Sequence, residues 1–181
     1  ATDLAAAITV PGGTAEAIGP GVYIQASVPF EISTGSTTGA DAMTLITTKT
    51  SNTSRLPLHT KNGYVLQVIN SEEIVIDDMY LEFKTDDENA TQGIGQWFET
   101  TKPGISDELD PATMPHVLVS TGNGNFEYKQ YDWKKRLVGD DDTNPKPSFV
   151  DFPIEHMFFY RNRMGFISGQ NVILSKAGDL N

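Results

Sequence analysis

Asp140, Asp141 and Asp142 form the sharpest carboxylate cluster in the chain, followed directly by Thr143, Asn144 and Pro145. Hard cations such as calcium take several oxygens from one turn, which makes Asp140 and Asp142 the candidate metal ligands. The run lacks the alternating spacing, central Gly and distal Glu of an EF-hand loop. An Asx-type turn, with side-chain oxygens accepting from nearby backbone N–H groups, explains the same residues and is the favoured reading. Glu72-Glu73, Asp77-Asp78 and Asp107-Glu108 raise a second chemistry, the acid couple of a glycosidase. That reaction needs two carboxylates about 5 to 9.5 Å apart in one cleft, one with a raised pKa. Neighbours on a strand point to opposite faces, so these pairs read as solvated surface.

His59, His116 and His156 lie far apart, without the HxH or HExxH spacing of metal ligands, and read as structural. Ser, His and Asp are all present, but no GxSxG elbow presents a nucleophile. Gly93-Ile94-Gly95 and Gly122-Asn123-Gly124 lack the rest of a phosphate loop and read as turns. Zero cysteines exclude disulfides, thiol catalysis and Cys-ligated zinc. Phe158, Phe159, Tyr160, Arg161 and Arg163 make the single basic-aromatic patch. Such residues stack on nucleic-acid bases in some proteins. With 24 acidic against 13 basic residues, a net charge of -11 argues for packing instead. These residues name no catalytic site and no cofactor.

The elements that must position them are strands. Hydrophobic residues make up 38% of 181, and 16 Gly with 10 Pro favour short strands joined by turns over a helical bundle. No apolar stretch is long enough to span a membrane. The start, ATDLAAAITV, predicts a short helix with Asp3 in its first turn, on the strength of Ala5, Ala6 and Ala7. Val22 to Ile32 alternates apolar and polar residues and predicts a half-buried strand, with Pro29 at an edge or bulge. Residues 33–55 are rich in Thr, Ser and Gly, and periodicity leaves Met43, Leu45 and Ile46 open between strand and helix. Tyr64–Ile69, Met79–Phe83 and the surroundings of Gln96 to Phe98 predict three more strands, the last after a flexible acidic run, Thr85 to Asn89.

The connector Lys102 to Ala112 is charged and broken by Pro103, Gly104 and Pro111, which places a boundary between Lys102 and Thr113. Beyond it, His116–Ser120 and Asn125–Tyr131 flank an Asn-Gly hairpin signal. Met157–Arg161, Met164–Ser168 and Val172–Ser175 then predict a tight meander, as in a propeller blade or sandwich sheet. The chain stops straight after it, as expected of a piece of a longer protein. Trp97, Phe126, Tyr128, Phe149, Phe158, Tyr160, Phe166, Ile167, Val172 and Leu174 are the expected buried residues.

Three segments carry a resemblance. TMPHVLV (Thr113 to Val119), GDDDTNPKPSFV (Gly139 to Val150) and FFYRNRMGFISGQNVILSKAG (Phe158 to Gly178) follow one another with suitable gaps. Together they closely resemble the tail nozzle (tail tubular protein B) family of short-tailed bacteriophages. LPLHTKNGYVLQV, from Leu56, is similar in layout. The resemblance implies a mainly β chain with some α: a small inserted β-rich region, residues 1–108 (in parts 1–55 and 56–108), then a partial propeller segment, residues 109–181. The earlier propeller strands and all that follows Asn181 in the family are missing from it.

The function so implied is structural and non-catalytic: a virion protein of the phage tail. Family members form a ring, usually a hexamer, that encloses the DNA exit channel. Its partners are other copies, a tail adaptor ring protein and the tail fibre, with genomic DNA passing without tight binding. An acidic wall suits that passage, because tight phosphate binding would slow the DNA. Two alternatives come from other classes. One is a tail-associated polysaccharide-degrading enzyme, which needs two converging carboxylates. The other is a carbohydrate-binding module, which needs an exposed flat Trp97 or Trp133. No hydrolase activity is expected. The isolated piece is expected to associate through its meander edge or leave it frayed, without forming the family's ring.

Overall fold

The structure is a computed structural model and describes residues 1–8, 10–35, 37, 39, 43–69 and 78–179. The chain is mainly β and divides into two compact units, Ala1–Pro103 and Gly104–Asn181. Glu72, Glu73, Asp77 and the connector around them lie outside the described residues.

The first unit opens on helix α1 (Thr2–Ala7), then forms an antiparallel hairpin from β1 (Gly13–Ile18) and β2 (Gly21–Ala26). Gly19 supplies the positive φ (54°) of the tight turn between them. The alternating pattern from Val22 to Ile32 becomes paired strand only as far as Ala26. β1 begins at Gly13, opposite Ala26, so residues 28–32 have no ladder to join. β1 itself, with only Ala15, Ala17 and Ile18 as apolar signal, is a strand that the pattern did not announce. Met43 to Ile46 form neither strand nor helix.

A five-stranded sheet follows: β3 (Lys49–Thr50), β4 (His59–Lys61), β5 (Val65–Val68), β6 (Met79–Thr85) and β7 (Gln92–Thr100). Its order is β3-β5-β6-β7-β4, antiparallel except for the β3–β5 pair. The register sets Leu66 opposite Leu81 and Phe83 opposite Trp97, all on one face. Leu66 and Phe83 are fully buried there. Tyr23, Tyr64, Trp97 and Phe83 form a chain of edge-on rings with centroids 5.7, 5.7 and 5.3 Å apart. The polar tips of Trp97 and Tyr64 are satisfied: Trp97 Nε1 donates to the Pro57 carbonyl (2.9 Å) and Tyr64 Oη to that of Thr47 (2.7 Å). β7 changes partner along its length, pairing first with β4 and from Gly95 onward with β6. The acidic run between β6 and β7 is a closed turn. Thr85 Oγ1 donates to the carbonyls of Asp87 and Ala90, and the Asp87 carboxylate accepts from the Asn89 N–H.

The second unit holds two separate sheets. β8 (Val117–Gly122) and β9 (Asn125–Lys129) form a hairpin around Asn123, whose φ of 53° sits between two left-handed glycines. β10 (His156–Tyr160), β11 (Arg163–Ser168) and β12 (Asn171–Leu174) form the antiparallel meander. Its core is small: Met114, Phe149, Met164 and Phe166, with Trp133, Ile154 and Ile173 packed against them. Phe149 meets Phe166 edge-on at 5.4 Å.

Five of the expected core residues are exposed: Phe126 (62%), Tyr128 (70%), Tyr160 (56%), Val172 (63%) and Leu174 (45%). The strands are where the pattern puts them, but the faces that carry these five side chains are left uncovered. Within this unit, core covers one face of each sheet at most. Phe149 and Phe166 are buried as expected, while Trp97, Phe158 and Ile167 are partly so.

Candidate interaction surface

The Asp140 turn is closed by its own side chain. Asp140 is buried, and its Oδ1 accepts from the backbone N–H of Asp142 (3.1 Å) and Thr143 (3.0 Å) and from Thr143 Oγ1 (3.0 Å). That is an Asx-type turn. Asp141 pairs with Arg136 at 2.9 Å, and Arg136 also donates to the Ser106 carbonyl. Asp142 is exposed. Among the described residues, no three His, Asp or Glu side chains converge as a metal site would require.

The other candidates stay apart. His59 lies on β4, where its ring backs onto Gly19. His116 stacks on the Tyr128 ring at 5.2 Å, with Nδ1 3.1 Å from the Met114 carbonyl. His156 is exposed on β10. Asp78 accepts from Gln67 Nε2 (2.7 Å), and Asp107 lies 3.6 Å from Lys135 Nζ. Lys134 and Asp179 pair at 2.6 Å, so the basic run 134–136 is neutralised by carboxylates of its own unit. The titration of Tyr64 is clearly moved: burial, helped by neighbouring Tyr23, pushes its hydroxyl up to about 12.

What the second unit offers is apolar surface. The register sorts its meander into two faces. Met157, Phe159, Met164, Phe166 and Ile173 share the core side, and Phe158, Tyr160, Ile167, Val172 and Leu174 share the other. On that outer side the Phe158 ring lies across Gly165, where any Cβ would collide with it. Val172, Leu174 and Tyr160 stand open around this pair. On the core side, an apolar groove of about 560 Å³ runs between β8 and β10, bordered by Val117, Val119, Met157, Phe159 and Met164. A wider open cleft of about 1330 Å³ leads to the core at Met114, Trp133 and Phe166. Trp133 Nε1 is buried in this region without an acceptor. The β8–β9 hairpin adds Leu118, Phe126 and Tyr128, on one face and exposed. The sequence marked these apolar positions but not which of them would remain uncovered.

Exposed apolar faces on this scale mark interaction surfaces rather than reaction centres. Tail tubular protein gp12 of Escherichia phage T7 is 39% identical over 123 residues, which is 68% of this chain and 15% of that protein. The chain thus spans a small part of the curated relative it matches. The family model described as "Bacteriophage nozzle protein" matches residues 1–181, including the first 55, where the sequence segments gave little. The chain belongs to the bacteriophage nozzle protein family.

Proposed function

We propose that this chain is a structural, non-catalytic part of a short phage tail, within the nozzle ring that encloses the DNA exit channel. The observation that carries the reading is the pair of apolar faces on the second unit, set on a family member that spans 15% of its relative. In this reading residues 109–181 are a propeller segment and residues 1–108 a domain inserted into it. The open strands then pack against propeller parts outside the chain. Other copies complete a ring, a hexamer by family resemblance, which meets an adaptor ring and tail fibres. The charge of -11 keeps passing DNA mobile, because it offers few cations to displace counterions.

Removal of the parent protein from virions tests the reading. The expected result is DNA-filled heads whose tails lack the distal ring, restored by the wild-type protein. A parent carrying Val172→Asp and Leu174→Asp should fail to restore it. Intact rings without the parent, or reproducible polysaccharide turnover lost on changing one Asp or Glu, would overturn the reading.

A further inference from the structure

β2 ends at Ala26, but its alternation does not. Beyond a bend at Ser27 and Val28, the apolar side chains of Val28, Phe30 and Ile32 continue the spacing of Val22, Ile24 and Ala26. No described strand pairs with this arm, and Val28 and Phe30 are exposed. Pro29, between them, has no N–H to give a ladder. Along an extended chain, successive residues turn their backbone groups to opposite sides. The arm is therefore able to pair along one side, through Val28, Phe30 and Ile32, while Pro29 closes the other side to a further strand.

The second unit holds an edge that fits it. β8 pairs with β9 on one side and with no described strand on the other. The apolar groove of about 560 Å³ follows that free side, because every residue from 115 to 120 borders it and no residue of β9 does. Residues 115–120 run about 17 Å when extended, enough for the roughly 14 Å from Val28 to Ile32. The groove is lined without a single Asp, Glu, Lys or Arg, which suits the three apolar side chains and leaves Glu31 on the arm's other face. Trp133 Nε1, buried in the same region without an acceptor, would meet the carbonyls of an added strand. The groove is also separate from the outer meander face. Met157 and Phe159 point away from Phe158 and Tyr160, so parent strands packed on the outer face leave the groove open.

We infer that residues 28–32 of one copy dock as an added strand on the β8 edge of a second copy, with Val28, Phe30 and Ile32 in the groove. The inference deepens the ring reading and takes from it the choice of a second copy as partner. Arm and groove are different surfaces, so the contact is head-to-tail, as a ring requires. Strand and groove together cover about 1,000 Å², the low end of specific interfaces, so a single contact is weak.

The test is sedimentation of the full chain across a concentration series. Wild type should show a reversible rise in mass. Phe30→Asp should weaken association at least about tenfold, since it removes the largest apolar group of the arm. Phe30 is exposed, so the Trp97 unfolding transition should stay in place. Proline separates strand pairing from unspecific apolar contact. Ile32→Pro removes an N–H that faces β8 and should weaken association about fivefold, the worth of one hydrogen bond. Glu31→Pro removes an N–H that faces away and should change association less than about twofold. The chain has no cysteine, so disulfides identify the partner. Phe30→Cys mixed with Phe159→Cys should give a cross-linked heterodimer in excess of either homodimer. Four results would overturn the inference: a wild-type chain that stays monomeric, association unchanged in Phe30→Asp, equal losses in Ile32→Pro and Glu31→Pro, or a double Cys variant that cross-links only within single chains. Tail rings that form normally from a parent carrying Phe30→Asp and Ile32→Pro would sink this contact and leave the ring reading standing.

Discussion

Adding one methyl group to Gly95 should damage the first unit far more than the same addition to Gly165 damages the second. Gly95 is buried where β7 leaves β4 for β6, and its N–H donates to the Leu58 carbonyl at 3.1 Å. A Cβ there would lie 2.8 Å from Lys84 C and from Thr85 Cα, and would strike the Lys84 carbonyl oxygen. Those atoms belong to the backbone of the paired strand, so the relief is movement of β6 itself. Overpacking of this kind costs about 3 kcal/mol, offset by about 0.5 kcal/mol because alanine restricts the unfolded chain. For a unit of this size, the loss lowers the melting temperature by on the order of 10–15 °C. At Gly165 the obstacle is the Phe158 ring, with Cε1 and Cε2 at 2.6 and 2.7 Å. A ring can swing away, giving up part of its burial, so the cost is about 1 kcal/mol. The two tryptophans provide the assay, because Trp97 lies in the first unit and Trp133 in the second. In a Trp133→Phe background, Gly95→Ala should shift the fluorescence transition strongly. In a Trp97→Phe background, Gly165→Ala should move it by only a few degrees. Equal shifts at the two sites, or a Gly95→Ala shift under about 2 °C, would refute the argument from backbone obstruction.

Asp140→Ala removes an acceptor that serves three donors in a buried turn, and should destabilise the second unit by about 2 kcal/mol in urea titration. The Asx-turn account also expects calcium to leave the wild-type melting temperature unchanged; a rise that Asp140→Ala or Asp142→Ala abolishes would restore the metal reading. Tyr64 gives a pH prediction. Its folded value, about 12, lies above the ordinary 10.0, so the native state holds the proton more tightly than the unfolded one. Its contribution is complete below pH 10 and is lost as pH rises from 10 toward 12. Tyr64→Phe should flatten that alkaline loss in the Trp97 transition.

The strands of the second unit were legible because their signals are local. Asn123-Gly124 and the meander's short separators fix turns through φ preferences that act within a few residues. Word-like segments after Thr113 carried the family in the same way, and the family model extends it over residues 1–55. The Asp140 turn was equally readable, since an Asx turn closes within its own residues. Burial and partnership are not local. An alternating stretch states which side chains share a face, but not whether anything covers that face. Phe158 and Val172 lie on one side of the same sheet, yet Phe158 is half-covered and Val172 is open. Val22 to Ile32 kept its pattern and lost its strand after Ala26, because a ladder needs a second backbone and β1 supplies none there. The partner switch at Gly95 and the left-handed Arg161 depend on pairings between residues distant along the chain, or on the exact register of a hairpin. Local sequence determined the strands and turns of the second unit and the family. Only the tertiary structure decided which apolar faces remain open, because that depends on what lies across from them in space.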